Sequence, residues 1–220
     1  MQTLKIDIVS DVSCPWCIIG YKALQVALQR IDDKVTASIT WHPFELNPNM
    51  PKEGQDIELH LIEKYQIDKQ QVAQNREAIE QRGLTVGYEF VTRGGGRIYN
   101  TFDAHRLLHW ASSVGKQTEL KLALFDLYFK QAGDPSNHNS LLTIIADLGM
   151  DVEQARKILS CQLYSEEVRA EQAKYQSLGI SSVPAVIVNE KHLISGGQPA
   201  DVFEQALLQI SKESACSLST

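Results

Sequence analysis

The chain has 220 residues, 43% hydrophobic and 22% charged, with a formal net charge of −6. This is the composition of an ordinary soluble globular protein, and its acidic balance gives nucleic acid no electrostatic footprint. No window holds the roughly 18 consecutive apolar residues of a membrane span, and a chain this long can bury a core without staples.

The N-terminal "MQTLKIDIVSDV" carries Asp7 and Asp11 within a short apolar alternation. It lacks the basic start and apolar run of a signal peptide, and a cysteine at position 14 leaves no room for a removable one. A cytoplasmic location is expected, where a Cys-x-x-Cys points to catalysis or metal rather than a structural disulfide. "LKIDIVS" predicts a strand over Leu4–Ser10, "IIGYKALQVALQRI" an amphipathic helix ending near Ile31, and "VTASITWHPF" a strand from Val35 to about Trp41. A Pro-rich loop follows. The pattern then predicts helices over Ile57–Tyr65, Lys69–Arg82, Asp103–Ser113, Lys116–Gln131, Ser140–Leu148, Val152–Leu159 and Ser165–Leu178. Asp151 with Gln154 predicts an N-cap. "PAVIVN" (184–189) and "HLISG" (192–196) read as strands joined by a tight turn, and a last helix starts with Pro199 in its first turn.

The expected architecture is α/β: a four-stranded sheet with flanking helices, interrupted by a large all-helical insertion. Residues 1–50 and 180–212 would form the sheet domain, 51–179 the insertion, and 213–220 a flexible polar tail.

"SDVSCPWCIIG" sets Cys14, Pro15, Trp16 and Cys17 at the first strand-to-helix junction. Pro15 suits the first helical position, which makes Cys14 the cap, with the N–H groups of Trp16 and Cys17 directed at its sulfur. A helix N-terminus favours a thiolate, the attacking species in disulfide exchange. Cys14 therefore reads as an exposed nucleophile and Cys17, one turn further in, as a resolving thiol. A zinc site normally needs four ligands and only one cysteine pair is present, so no metal is expected. Inert core cysteines are the other alternative.

"SSVPAVIV" places Pro184 directly before a β-branched strand, where it cannot donate to a ladder. In a thioredoxin-like sheet a cis-proline sits there and faces the cysteine pair; a trans proline at a strand start is the alternative. Val183 would then offer its backbone to an extended substrate.

Taken together, "DVSCPWCIIG", "WHPFELNPNMP", "NTFDAHRLLHWA" and "SSVPAVIVNEKHLISGGQP" resemble the FrnE-like subfamily of the DsbA-like thioredoxin-fold proteins over about residues 4 to 210. The resemblance implies a thioredoxin fold with a helical insertion and a dithiol–disulfide oxidoreductase. It implies Cys14 as nucleophile, Cys17 as resolving thiol and Pro184 as the cis-proline. Related 2-hydroxychromene-2-carboxylate isomerases and kappa-class glutathione transferases bind glutathione, usually with Ser in place of Cys14. A glutathione-dependent transferase or isomerase is thus the alternative function. No tightly bound cofactor is implied; glutathione is a candidate co-substrate. The partner would be a disulfide-containing protein or a small-molecule thiol, with no nucleic acid and no membrane, and a homodimer is a candidate assembly.

Pro15, Trp16 and Val183 are expected to touch substrate. Phe44, Asn47, Asn100, Thr101 and His105 match the resemblance and would line a groove, although turn and cap roles suit Asn47 and Asn100, and a satisfied helix histidine suits His105. "RGGGR" (93–97) reads as a loop or an anion cradle. Asp11 is placed to perturb a thiol or relay a proton. Cys161 reads as a small core residue and Cys216 as an exposed thiol in the tail. Trp110, Phe125, Tyr128 and Phe129 read as core.

Overall fold

The computed structural model describes residues 2–51, 53–91 and 94–217. It opens with β1 (Gln2–Ser10), α1 (Pro15–Arg30) and β2 (Val35–Pro43). The first two strands pair in parallel, with Ile6 opposite Ile39 and Ile8 opposite Trp41. Pro15 starts α1, where its missing N–H leaves nothing unpaired. Ile18, Ala23, Leu24 and Ala27 then bury one face of the helix.

The chain next leaves the sheet. It forms β3 (Gln55–Asp56), α2 (Ile57–Tyr65), α3 (Lys69–Leu84), a single 3-10 turn at Gly94–Gly96 and β4 (Arg97–Ile98). Five helices follow: α4 (Phe102–Ser113), α5 (Gln117–Lys130), α6 (His138–Asp147), α7 (Val152–Ser160) and α8 (Ser165–Ser177). The starts of α2, α3, α6 and α7 carry side-chain caps. Asp56 accepts from Leu59 N–H at 3.0 Å, Asn137 from Ser140 at 3.1 Å and Asp151 from Gln154 at 2.9 Å. Asp68 and Gln71 make a full capping box. Each such cap contributes about 1 kcal/mol.

The chain returns as β5 (Ala185–Val188), β6 (His192–Ser195) and α9 (Ala200–Ser217). The sheet order is β2-β1-β5-β6, with β5 antiparallel to both β1 and β6. Strand alternation sends Leu4, Ile6 and Ile8 into one core with α1 and with Phe203, Leu207 and Ile210 of α9. Val9 faces the other side and packs with Tyr175 and Ile180. A separate cluster, including Leu107, Leu120, Leu141 and Ile158, holds α4 to α7 together.

Several expectations need adjustment. The insertion also carries the antiparallel pair β3–β4, two residues a side, which is too short to show a period. α9 runs to Ser217, beyond the point where a tail was expected. Pro199 sits just before the helix, its carbonyl accepting from Val202 and Phe203 at 3.1 and 3.2 Å. Cys161 is exposed, not core, because it ends α7 with extended backbone where the chain turns away. The Cys216 side chain and Arg93 lie outside the described residues. Arg97 spends its guanidinium on the carbonyls of Glu53 and Gly54, at 3.0 and 3.1 Å. No helix among the described residues is long and apolar enough to cross a membrane.

Candidate active site

Cys14 caps α1, and its N–H bonds Asp11 O at 3.3 Å while its carbonyl accepts from Cys17 N–H at 3.1 Å. The Val183–Pro184 peptide bond is cis. The carbonyl of Val183 accepts from the Cys14 thiol at 3.6 Å, so residues far apart in sequence meet at the sulfur. The sulfur meets no full cap geometry with the helix N–H groups, and the Cys17 N–H, which does lower the thiol, is outweighed by the causes that raise it. Cys14 is also less open than expected, at 3% exposure, and Cys17 is at 0%.

The reduced pair shares its protons unevenly. Cys14 is pushed well above the ordinary thiol range, first by its hydrogen bond to Cys17 and then by burial. Cys17 is lowered: burial opposes this, but the bond from Cys14, the Ser10 hydroxyl and the charge of Lys121 outweigh it. The expected low value at Cys14 is therefore not found in this state. One negative charge is stable in the pair, and a second beside it is not.

A cavity of about 880 Å³ opens onto Cys14. Ser13, Cys14, Pro15 and Trp16 form one part of its lining, Phe44 to Asn47 another, and Ser181 to Val183 a third. The rest comes from α2, α3 and their junctions, including Ile57, Leu61, Tyr65, Val72 and Ile79, with Ile98 and Tyr128. Lys64 donates to Leu46 O at 2.8 Å and Asn47 Oδ1 at 2.7 Å, and His60 Nε2 bonds the same oxygen at 2.9 Å.

Of the sequence-expected groove residues, Pro15, Trp16, Val183, Phe44 and Asn47 lie on this lining. Asn100, Thr101 and His105 do not. Asn100 accepts from Phe102 N–H at 2.9 Å at the start of α4. Thr101 is buried with its carbonyl on His105 N–H, and His105 is buried 3.5 Å from Asp11. Pro184 is not on the lining either; it fixes Val183, and its carbonyl accepts from Gly196 N–H at 2.8 Å. Among the described residues no group of three or more His, Cys, Asp or Glu is arranged to hold a metal.

Behind the thiols lie two charged groups. Asp11 is 1% exposed and its carboxylate accepts from Leu46 N–H at 2.7 Å. Burial would raise its pKa, but His105, the Leu46 N–H and Lys121 together hold it below the usual range. Lys121 of α5 is 1% exposed and donates to Ser10 O at 3.4 Å. Burial pulls it down to about 8 against the raising effects of Cys17 and Asp11. Lys121 escaped sequence reasoning. Its signal was its position: it shares a helix face with Leu124, Phe125 and Tyr128, where a solvated lysine does not belong.

The DSBA-like thioredoxin domain matches residues 5–208. A probable DsbA oxidoreductase from Streptomyces coelicolor is 31% identical, with a TM-score of 0.83 over 94% of this chain and 89% of that one. The Bacillus subtilis protein YwbO is 25% identical over 215 residues, which span 96% of this chain and all of that one. A 2-hydroxychromene-2-carboxylate isomerase is alike in fold, with a TM-score of 0.71 at 13% identity over 98% of this chain and 100% of that one. The sheet order, the dithiol at the start of α1 and a family match across nearly the whole length agree: the chain belongs to the DSBA-like thioredoxin domain family.

Proposed function

We propose that this protein is a dithiol–disulfide oxidoreductase of the FrnE-like kind. Cys14 attacks a substrate disulfide, one substrate sulfur leaves as thiolate, and Cys17 then attacks Cys14 to release the second. One observation carries the reading: of the two sulfurs, only Cys14 belongs to a residue lining the large groove, while Cys17 is wholly buried one turn behind. Attack requires the Cys14 proton to move to Cys17 along their hydrogen bond, against the resting preference of the reduced pair, in which Cys14 is raised and Cys17 lowered.

The groove's volume, about 880 Å³, falls in the ~300–1,000 Å³ range of small-molecule sites. This supports disulfides of small thiols, glutathione among them, or an apolar peptide loop as substrates. The same volume and the fold likeness to the isomerase support a second reading, a glutathione-dependent transferase or isomerase.

Intact-protein mass spectrometry on a Cys161→Ser, Cys216→Ser background tests the first reading. With glutathione disulfide, Cys17→Ala should accumulate one adduct on Cys14, and Cys14→Ala none. Adducts on Cys17 in the Cys14→Ala protein would overturn the assignment. Turnover of a glutathione-dependent isomerisation without Cys17 would move the conclusion to the second reading.

A further inference from the structure

His42 of β2 has both ring nitrogens on carboxylates. Nε2 lies 2.8 Å from Asp7 Oδ1 on β1, and Nδ1 lies 2.6 Å from Glu171 Oε1 on α8. An ionised carboxylate accepts and cannot donate, so each contact needs a proton from the ring. His42 therefore carries both protons and a positive charge, although its side chain is only 10% exposed. Further charges flank the two carboxylates: Lys5 Nζ is 3.6 Å from Asp7 Oδ2, and His109 Nδ1 of α4 is 3.8 Å from Glu171 Oε2. His105 of α4 and Lys121 of α5 line the same small cavity as His42, and the Tyr175 ring of α8 lies 4.7 Å from it.

This cluster holds α8 to the sheet, and α8 leads to the reacting sulfur. Just past the helix, Ile180 N–H donates to Tyr175 O at 3.0 Å. Tyr175 and Ile180 pack with Val9 and Ala185, and Phe44 and Val183 pack against that group. Val9 stands opposite His42 in the strand pairing. Phe44 and Val183 both line the substrate groove, and the Val183 carbonyl meets the Cys14 thiol at 3.6 Å. A second polar link runs from Arg169 and Gln172 of α8 to Glu45. Of the two, the link through His42 is the one that hinges on a ring proton. Loss of that proton sets a nitrogen lone pair against a carboxylate oxygen. Asp7 is fixed in the sheet with its side chain 5% exposed, so Glu171, on a helix and 26% exposed, is the partner that lets go.

We propose that His42, as an imidazolium clamped between Asp7 and Glu171, is a positioning residue for the groove: it fixes α8, and through Tyr175 and Ile180 the Val183 segment, and the groove loosens when the ring gives up its second proton. That the groove serves disulfide exchange rests on the dithiol reading above. Glu171→Gln separates the link from the proton. A glutamine amide can donate to a bare ring nitrogen or accept from a protonated one, so it joins α8 to His42 in either ring form. Glu171→Leu removes the link in both.

Nitrogen-15 NMR of the imidazole, assigned with His42→Gln, should show two protonated nitrogens at about pH 6. A ring with one proton there overturns the clamp. As pH rises through the measured titration of the ring, the Ile180 amide should lose protection from hydrogen exchange in the parent, after correction for intrinsic exchange, and keep it in Glu171→Gln. The reduced protein, on the Cys161→Ser, Cys216→Ser background, is then mixed in stopped flow with an aromatic disulfide that releases a coloured thiolate. The limiting rate follows the thiols and is common to parent and variants. The half-saturating concentration should rise roughly tenfold through the ring titration in the parent, the scale of one lost hydrogen bond to a charged group. It should stay level in Glu171→Gln and be high at every pH in Glu171→Leu. A level parent, or an equal rise in Glu171→Gln, overturns the positioning role and leaves the dithiol reading standing. No coloured release from the parent at any pH removes the dithiol reading and the positioning role with it, while the exchange of Ile180 still decides whether the clamp holds α8.

Discussion

Gly20 lies directly against Pro184: a β-carbon there would meet the proline ring at 3.3 Å and the Gly197 Cα at 3.2 Å. Helix α1 can approach the Pro184 segment this closely only without a side chain at that point. Gly20→Ala should therefore cost about 1–3 kcal/mol through overpacking and shift Val183 relative to Cys14. A lowered denaturant midpoint together with slower adduct formation on Cys14 is expected. A midpoint and rate equal to the parent's would show that the contact carries no weight.

The thiols should titrate as a pair, in one step below and one above the ordinary thiol value. Cys17→Ala removes the largest cause raising Cys14, so the remaining Cys14 should titrate lower than in the parent pair. Cys14→Ala removes a bond that lowers Cys17 and leaves its burial, so Cys17 should titrate higher. Thiolate ultraviolet absorbance against pH reads both. Shifts in the opposite directions would mean that the proton rests on the other sulfur.

Glu171 ties α8 to β2 and α4: Oε1 bonds His42 Nδ1 at 2.6 Å, and Oε2 lies 3.8 Å from His109 Nδ1. Burial would raise its pKa, but His109 and His42 bring it down from 4.5 to about 2. A depressed carboxylate contributes stability above its unfolded value, and that stability is lost as pH falls from 4.5 towards 2. His109 behaves in the opposite sense. It is raised by the bond to Glu171, so its contribution is complete below 6.5 and disappears as pH climbs through the folded value. Glu171→Gln should remove about 2 kcal/mol near pH 5, after allowance for partial exposure, and flatten both limbs of the stability–pH curve. Denaturant titrations across that range check it; parallel curves for variant and parent would refute it.

Arg106 is 2% exposed and donates to Cys161 O at 2.8 Å, Leu163 O at 3.1 Å and Asp103 Oδ1 at 2.6 Å, and also to Ile158 O. It closes the end of α7 and holds the next loop against α4. Arg106→Met leaves the buried Ile158 carbonyl and two part-buried ones without this donor and should cost about 3 kcal/mol. Arg106→Lys should not rescue it, because an ammonium cannot span these acceptors in one plane. Full recovery by lysine would show that charge alone matters there.

What could be read beforehand follows from how local the physics is. The positions of Cys14, Cys17 and Pro184 were legible because a strand–helix junction and a proline before a strand are short-range patterns. The helices were legible within a few residues from their apolar periodicity and breakers, and the Asp151 cap from its place beside what it caps. The groove wall was not, since Leu61, Val72 and Ile79 show only helical amphipathy and not what their faces meet. His105 was read towards the groove by resemblance, whereas it is buried beside Asp11 and lines a small cavity with Lys121. Cys161 went wrong because small apolar character says nothing of where a helix ends.

The hydrogen bond between Cys14 and Val183 joins residues 169 positions apart. On a ribosome adding about 5–20 residues per second, a nascent chain carries its dithiol for roughly ten to thirty seconds before the segment that screens it exists. Throughout that interval the thiols lack the Val183 carbonyl, and for the first part of it they lack α5 with Lys121 as well. Synthesis itself thus leaves the dithiol open to the surrounding solution until the last strands close over the sulfur.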